Sequence, residues 1–139
     1  MDPNAKLLQD IYENATMGKV SLGQLIKRCE DANFRKAMAD QFAEYHEAQT
    51  EAQRLLKATH LEPAPPPLFP LKAHMRFNLR LDSTPSHMAE MLMQGSLLGI
   101  IDLSRSLREY AQAGEQARSL GARLLRTEEN NLRRLQPYL

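Results

Sequence analysis

The stretch from Met88 to Leu103, MAEMLMQGSLLGIIDL, is apolar on almost every side of a helix. Its only side chains that form hydrogen bonds are Glu90, Gln94, Ser96 and Asp102. The stretch is too short to cross a bilayer, which takes ~20 apolar residues. A helix that is apolar nearly all round has to be covered by protein on most of its sides. The stretch therefore predicts the central helix of an all-helical bundle.

The composition narrows the classes of protein to which this chain can belong. Its 139 residues form one domain, residues 1–139, large enough for a hydrophobic core. With 18 basic and 17 acidic side chains, it lacks the basic excess of a dedicated nucleic-acid or anionic-membrane binder. The single cysteine, Cys29, can form no intramolecular disulfide, and the N-terminus MDPNAKLLQD has no signal-peptide pattern. We therefore expect a cytoplasmic protein without a nucleic-acid or membrane partner.

Apolar residues at alternating spacings of three and four predict two long helices at the start of the chain. The first covers about 4–29, with Asp2 as its cap and Pro3 at the first helical position. The second covers about 33–59. The residues on its inner face are Met38, Gln41, Tyr45, Ala48, Ala52 and Leu55.

A proline-rich segment separates these two helices from the rest. Residues 60–70, HLEPAPPPLFP, hold five prolines and predict an extended crossover. A short helix over 71–81 follows. Thr84 and Pro85 are a start signal for a helix over 85–110, and a last helix covers about 115–136.

Acidic side chains on the inner faces of three helices are the main candidates for chemistry. Glu44, Glu90 and Glu128 each fall on or next to an apolar face, and His87 shares a face with Glu90. Carboxylates that converge in a bundle core, together with histidine, are how four-helix proteins hold iron or manganese. These four residues are therefore the candidate metal ligands.

A paired polar layer is the other interpretation of the same residues. Buried carboxylates are normally compensated by a cation or by hydrogen bonds. Glu128 could pair with an arginine such as Arg105, or accept a hydrogen bond from Tyr45 or Gln94. His87 lies in the first turn of its helix, where it could interact with free backbone N–H groups.

The segments QGSLLGIIDLSRSLREY and LGARLLRTEENNLRRL, with four helices and a long crossover, resemble small bacterial ferritin-like proteins, including the spore-coat-F-like group. The resemblance implies a ferritin-like antiparallel four-helix bundle and a dimer. The Glu-x-x-His motif that supplies the family's di-metal ligands occurs nowhere in this sequence. A complete di-iron site is therefore not expected.

Two functions follow. The first is a non-enzymatic structural or interaction protein, ferritin-like but without a complete di-metal site or other cofactor. No sequence pattern of a catalytic nucleophile opposes it. We expect a homodimer, because the helix over 85–110 is too apolar for three neighbouring helices to cover and Leu107 and Tyr110 are spare apolar residues. The alternative is a degenerate metal-binding protein. Its iron or manganese ligands would be Glu44, Glu90, Glu128 and His87.

Overall fold

The computed structural model describes residues 2–139, and over that range it contains five α-helices and no β-strand. The prediction of an all-helical protein is therefore confirmed. The helices, in chain order, are α1 (Pro3–Ile26), α2 (Ala32–Ala58), α3 (Phe69–Leu81), α4 (Pro85–Glu109) and α5 (Glu115–Leu135). A 3-10 turn, Gln136–Tyr138, follows α5.

Three helices begin with a capping side chain. Asp2, Asp31 and Thr84 cap α1, α2 and α4, and each accepts a hydrogen bond from the backbone N–H three residues further along, at 2.8, 2.9 and 3.3 Å. Pro3 and Pro85 occupy the first turns of α1 and α4, where a missing N–H costs nothing. Each cap stabilises its helix by ~1 kcal/mol.

Two helix ends differ from the predicted ones for local reasons. α1 ends at Ile26, before Cys29, because the next residues close a tight turn in which the Cys29 N–H donates to the Ile26 carbonyl at 3.4 Å. α3 begins at Phe69, inside the segment predicted to be extended. Pro70 falls in its first turn, the one place where a helix tolerates proline.

The arrangement is two antiparallel hairpins, α1–α2 and α4–α5, with α1 at the centre. α1 contacts all four other helices, and α5 contacts α2 as well as α4. α1 and α4 run in opposite directions. The Gly114 N–H donates to Asn4 Oδ1 at 3.0 Å, and Ser106 Oγ donates to Asp10 Oδ2 at 2.7 Å.

The crossover runs along the bundle, because α2 ends and α4 begins at opposite ends of it. Its extended part is tied to α1 by the Gln9 amide, which donates to the Ala64 carbonyl at 2.6 Å and accepts from the Ala64 N–H at 3.0 Å. α3 then buries Met75 and Leu79 and contacts α1. The crossover thus forms a fifth layer beside α1.

The core is built from long apolar side chains of all five helices. Burying one leucine- or phenylalanine-sized side chain stabilises the fold by ~1.5–3 kcal/mol. The largest fully buried ones are Leu7, Leu8, Ile11, Leu22, Leu25, Phe34, Met38, Leu56, Met88, Leu103, Leu124 and Leu135.

The central helix is α1, so the prediction that α4 is central is wrong, and within one chain α4 is covered on only part of its surface. Met88, Leu92 and Leu103 are buried, yet Leu97 and Leu98 on other sides of the helix are exposed. The reason is position, because α4 lies at a corner of the bundle with α1 and α5 as its neighbours. Within residues 2–139, no helix combines the length and the hydropathy that a bilayer span requires.

Candidate functional site

A cluster of buried polar side chains, here called the polar cluster, joins α2, α4 and α5. Glu128 is only 3% exposed, and its Oε1 accepts a hydrogen bond from the Tyr45 hydroxyl and another from Ser96 Oγ at 3.3 Å. Asn131 Nδ2 donates to the Tyr45 hydroxyl oxygen at 3.1 Å. The polar cluster therefore consists of Tyr45, Ser96, Glu128 and Asn131.

The polar cluster continues to the protein surface through an arginine. Arg134 donates to Asn131 Oδ1 at 2.6 Å and to Glu44 Oε1, also at 2.6 Å. The Arg134–Glu44 ion pair is partly exposed, so it contributes little to stability by itself. The hydrogen bond from Arg134 to Asn131 Oδ1 holds the Asn131 amide in the orientation in which it donates to Tyr45.

Two glycines leave the space that the polar cluster occupies. A Cβ atom at Gly18 of α1 would lie 2.7 Å from the Tyr45 ring. One at Gly99 of α4 would lie 1.9 Å from Glu128 Oε2. Both distances are far below van der Waals contact, so each helix comes close to a cluster side chain only because the residue there has no side chain.

Burial controls the proton affinity of the polar cluster. It raises the pKa of Glu128 to about 7, against the opposing effect of the hydrogen bonds from Tyr45 and Ser96. Burial and the nearby Glu128 charge raise the pKa of the Tyr45 hydroxyl far above its usual value. Near neutral pH, therefore, Tyr45 is a hydrogen-bond donor, and Glu128 holds its proton more tightly than an exposed glutamate does.

The candidate metal ligands lie in three separate places. Glu128 belongs to the polar cluster, and Glu44 pairs with Arg134 near the surface. His87 Nδ1 lies 3.6 Å from Glu90 Oε1 at the start of α4. Across residues 2–139, no three His, Cys, Asp or Glu side chains come together as ligands of one metal ion would.

Of the partners that the sequence offers for Glu128, the structure provides Tyr45. The polar-layer interpretation thus describes the observed surroundings of this carboxylate. Sequence reasoning missed Ser96 and Asn131. Asn131 could have been found from its spacing, because it follows Glu128 by three residues and so shares its face of α5.

A groove of about 840 Å³ opens between α1, α3 and α4 and reaches the polar cluster. Its floor includes Asn14, Gln41 and Glu128. The buried atoms Asn14 Oδ1 and Gln41 Nε2 have no hydrogen-bond partner in the described part of the chain. The carboxylates that line the groove above the floor are Asp10, Glu13, Glu90, Asp102 and Glu109.

The groove was not predicted, because it results from where the crossover lays α3. α3 supplies one of its walls, with Leu71, His74 and Met75, while α4 supplies the other. Neither helix carries a sequence motif that is typical of a ligand-binding site. Comparisons with protein-family models, with curated proteins and with solved structures find no significant match to this chain.

Proposed function

We propose that this protein is a non-enzymatic interaction protein that works as a homodimer through the outer face of α4. The outer face consists of Glu90, Gln94, Leu97, Leu98, Ile101 and Arg105. The observation that carries the proposal is the exposure of its three apolar members: Leu97 is 49%, Leu98 62% and Ile101 47% exposed. Adjacent exposed apolar side chains with a polar border mark interaction surfaces.

The outer face is a single stripe along the helix. Its members recur at spacings of three and four residues, which places them on one side of an α-helix. The apolar residues occupy the middle of the stripe, and a charged residue stands at each end, Glu90 before them and Arg105 after them. A stripe of this kind suits packing against another helix.

The charges at the two ends favour a second copy of the chain as the partner. Glu90 and Arg105 are equally far along the helix from the point midway between Leu97 and Leu98. In a two-fold antiparallel pair of α4 helices centred there, Glu90 of each copy faces Arg105 of the other. A two-fold interface has to be self-complementary in this way.

Both charged residues are free to make this contact. Arg105 is exposed and forms no ion pair within residues 2–139. The Glu90 side chain is 57% exposed, and its one described ionic neighbour is His87. Two reciprocal Glu90–Arg105 pairs would fix the register of the two helices, while the leucines and Ile101 would supply the buried apolar area.

The apolar surface extends beyond α4. Phe77 and Leu81 of α3, the helix on the other side of the groove, are 62% and 69% exposed. A stable interface usually buries ~800 Å² on each partner, which is more than one helix face provides. Together, the exposed apolar residues of α3 and α4 form a surface that extends beyond one helix face.

We also propose that the bundle is related to the ferritin-like proteins and acts in the cytoplasm. What supports the relationship is the arrangement of two antiparallel hairpins joined by a lengthwise crossover, as in ferritin-like folds. The site in which such proteins hold metal would here be a hydrogen-bonded polar layer, since Glu128 Oε1 already accepts from Tyr45 and Ser96.

Sedimentation velocity of the full chain tests the proposed dimer. We expect wild type to sediment as a dimer at micromolar concentration and Leu97→Asp to sediment as a folded monomer, because the variant would bury two uncompensated carboxylates. Leu139→Asp is the matched control. It changes another exposed leucine, 59% accessible at the C-terminus, and should remain dimeric. A monomeric wild type, or a dimeric Leu97→Asp, would refute the proposal.

A further inference from the structure

The floor of the groove presents two oxygen atoms that lack a donor. Asn14 Nδ2 donates to the Gly99 carbonyl at 3.4 Å, which leaves Asn14 Oδ1 buried and unpaired in the described structure. Both described hydrogen bonds to Glu128 reach Oε1, so Oε2 receives none. Leaving the buried Asn14 Oδ1 without a donor is costly, and a ligand that supplies one removes that cost.

The Glu128 carboxylate and the Asn14 side-chain amide lie next to each other. A Cβ built on Gly99 would be 1.9 Å from Glu128 Oε2 and 3.0 Å from Asn14 Nδ2. The absent side chain of Gly99 therefore brings the carboxylate and the amide to one point. A group with several N–H donors and a positive charge would match both of them.

The floor also holds an unused hydrogen-bonding group of the opposite kind. Gln41 is only 1% exposed, and its Nε2 has no partner within residues 2–139 although it lines the groove. Gln41 precedes Tyr45 by four residues, about 6 Å along α2. A ligand that reaches this amide would need an oxygen acceptor in addition to its cationic group.

The walls of the groove are apolar and its border is acidic. Five carboxylates stand above the floor, whereas Arg105 is the only lysine or arginine that lines the groove. This arrangement attracts cations and repels anions. The apolar side chains that line the walls are Met17, Leu22, Leu71, Met75, Met91, Leu92, Leu98 and Leu103.

We propose that the groove binds an amphipathic organic cation. Its ammonium group donates to Glu128 Oε2 and Asn14 Oδ1, and an oxygen close to the nitrogen accepts from Gln41 Nε2. Its apolar body lies between α3 and α4 against Met75 and Met91. The groove volume, about 840 Å³, falls within the range of small-molecule sites. The site goes beyond the proposed dimer, and it lies beside the outer face of α4, since Glu90, Leu98 and Arg105 line the groove as well.

Isothermal titration calorimetry with N-octylethanolamine tests the proposal. This amine carries an ammonium group, a nearby hydroxyl and an eight-carbon chain, and it would be titrated into the full chain at about pH 8. Three matched probes each lack one feature: octylamine lacks the hydroxyl, ethanolamine the chain and octanoate the positive charge. We expect N-octylethanolamine to bind more tightly than octylamine, and octanoate to bind at least about tenfold more weakly.

Variants assign the contacts. Glu128→Gln keeps the shape of the floor but removes its charge, and should weaken N-octylethanolamine binding about tenfold or more. Gln41→Met removes the amide and should make N-octylethanolamine and octylamine bind equally. Gly95→Leu places a side chain in the groove and should block both amines. Gly95→Ala is its control, because a Cβ there meets nothing within 4 Å.

Two results would overturn the proposal. One is octanoate binding as tightly as the amine, since the groove would then select only the apolar chain. The other is unchanged binding by Glu128→Gln, which would place the amine elsewhere. Leu97→Asp separates this test from that of the dimer, because Leu97 does not line the groove and the monomeric variant should still bind the amine.

Discussion

The inner and outer faces of α4 are similar in sequence and opposite in environment. Met88, Leu92 and Leu103 point into the bundle and are 0%, 8% and 1% exposed, whereas Leu97 and Ile101 are about half exposed. The inner face meets α1 and α5. The outer face has no neighbour within residues 2–139 that covers it, and it is the surface through which we propose that the chain dimerises. Apolar character alone thus does not identify the core side of a helix.

The largest expected difference between the two faces is in their contribution to folding. Leu103→Ala should lower the free energy of unfolding by ~2–5 kcal/mol, because it leaves a cavity beside α1. Leu97→Ala should change it by less than ~0.5 kcal/mol, since the side chain already contacts water. Urea unfolding at concentrations low enough to keep the chain monomeric measures both. Equal losses would mean that the outer face is covered within one chain.

Glu128, which packs against Gly99 of α4, should make the free energy of unfolding depend on pH. The pKa of Glu128 is raised from 4.5 to about 7 in the folded protein, so between these values the folded state binds more protons than the unfolded one. The contribution of Glu128 is therefore fully present below pH 4.5 and is lost as the pH rises through about 7.

Glu128→Gln removes that loss while keeping an acceptor for Tyr45. We expect the variant to gain stability over wild type as the pH rises, reaching about 3 kcal/mol above neutral pH. Urea unfolding of both proteins at a series of pH values gives the difference curve. A flat curve would show that the Glu128 carboxyl is ionised at little cost in the folded protein.

The same glycine-to-alanine substitution at two positions compares a closely packed side of α4 with an open one. Gly99→Ala places a Cβ 1.9 Å from Glu128 Oε2, so the carboxylate has to move and unfolding should become easier by ~1–3 kcal/mol. Gly95→Ala meets nothing within 4 Å and should stabilise the helix by ~0.5–1 kcal/mol. Thermal unfolding of the two variants should therefore shift in opposite directions. Shifts of the same sign would contradict the close approach of α4 to Glu128.

The smallest expected effect is the response of the dimer to salt. The Glu90–Arg105 pairs lie at the border of the proposed interface, where screening weakens them. Raising NaCl from about 0.05 to about 0.5 M should raise the dissociation constant a few-fold, with the apolar centre largely unaffected. The Glu90→Gln, Arg105→Gln double variant should lose this salt response. An equal salt response in the double variant would mean that other charged residues cause the salt dependence.

Local signals made part of the fold predictable. Asp2 and Thr84 combine a capping side chain with a following helical pattern, and both cap their helices. The inward position of Glu128 followed from the spacing of apolar residues in α5, and Tyr45 from that in α2. These features depend on residues a few positions apart, which is the range that helical periodicity covers.

The environment of α4 and the groove depended on contacts between distant residues. An apolar helix gives little information about which side faces the core, so Leu97 and Leu103 could not be told apart. Asn14 approaches Gly99 only because α1 and α4 are antiparallel neighbours. No local sequence pattern indicates that the Gln41 amide lacks a hydrogen-bond partner, because this depends on how the whole bundle is assembled.

Charge reversal at the outer face of α4 tests the central claim most directly. Sedimentation velocity would compare wild type with Glu90→Arg, Arg105→Glu and the double variant that carries both changes. Each single variant places like charges opposite each other twice and should weaken the dimer, whereas the double variant restores both pairs and should regain the affinity of wild type. Exposed Glu129 on α5 gives the control, because Glu129→Arg should leave the dimer intact. A double variant as weak as the singles would contradict the antiparallel pairing of α4 helices.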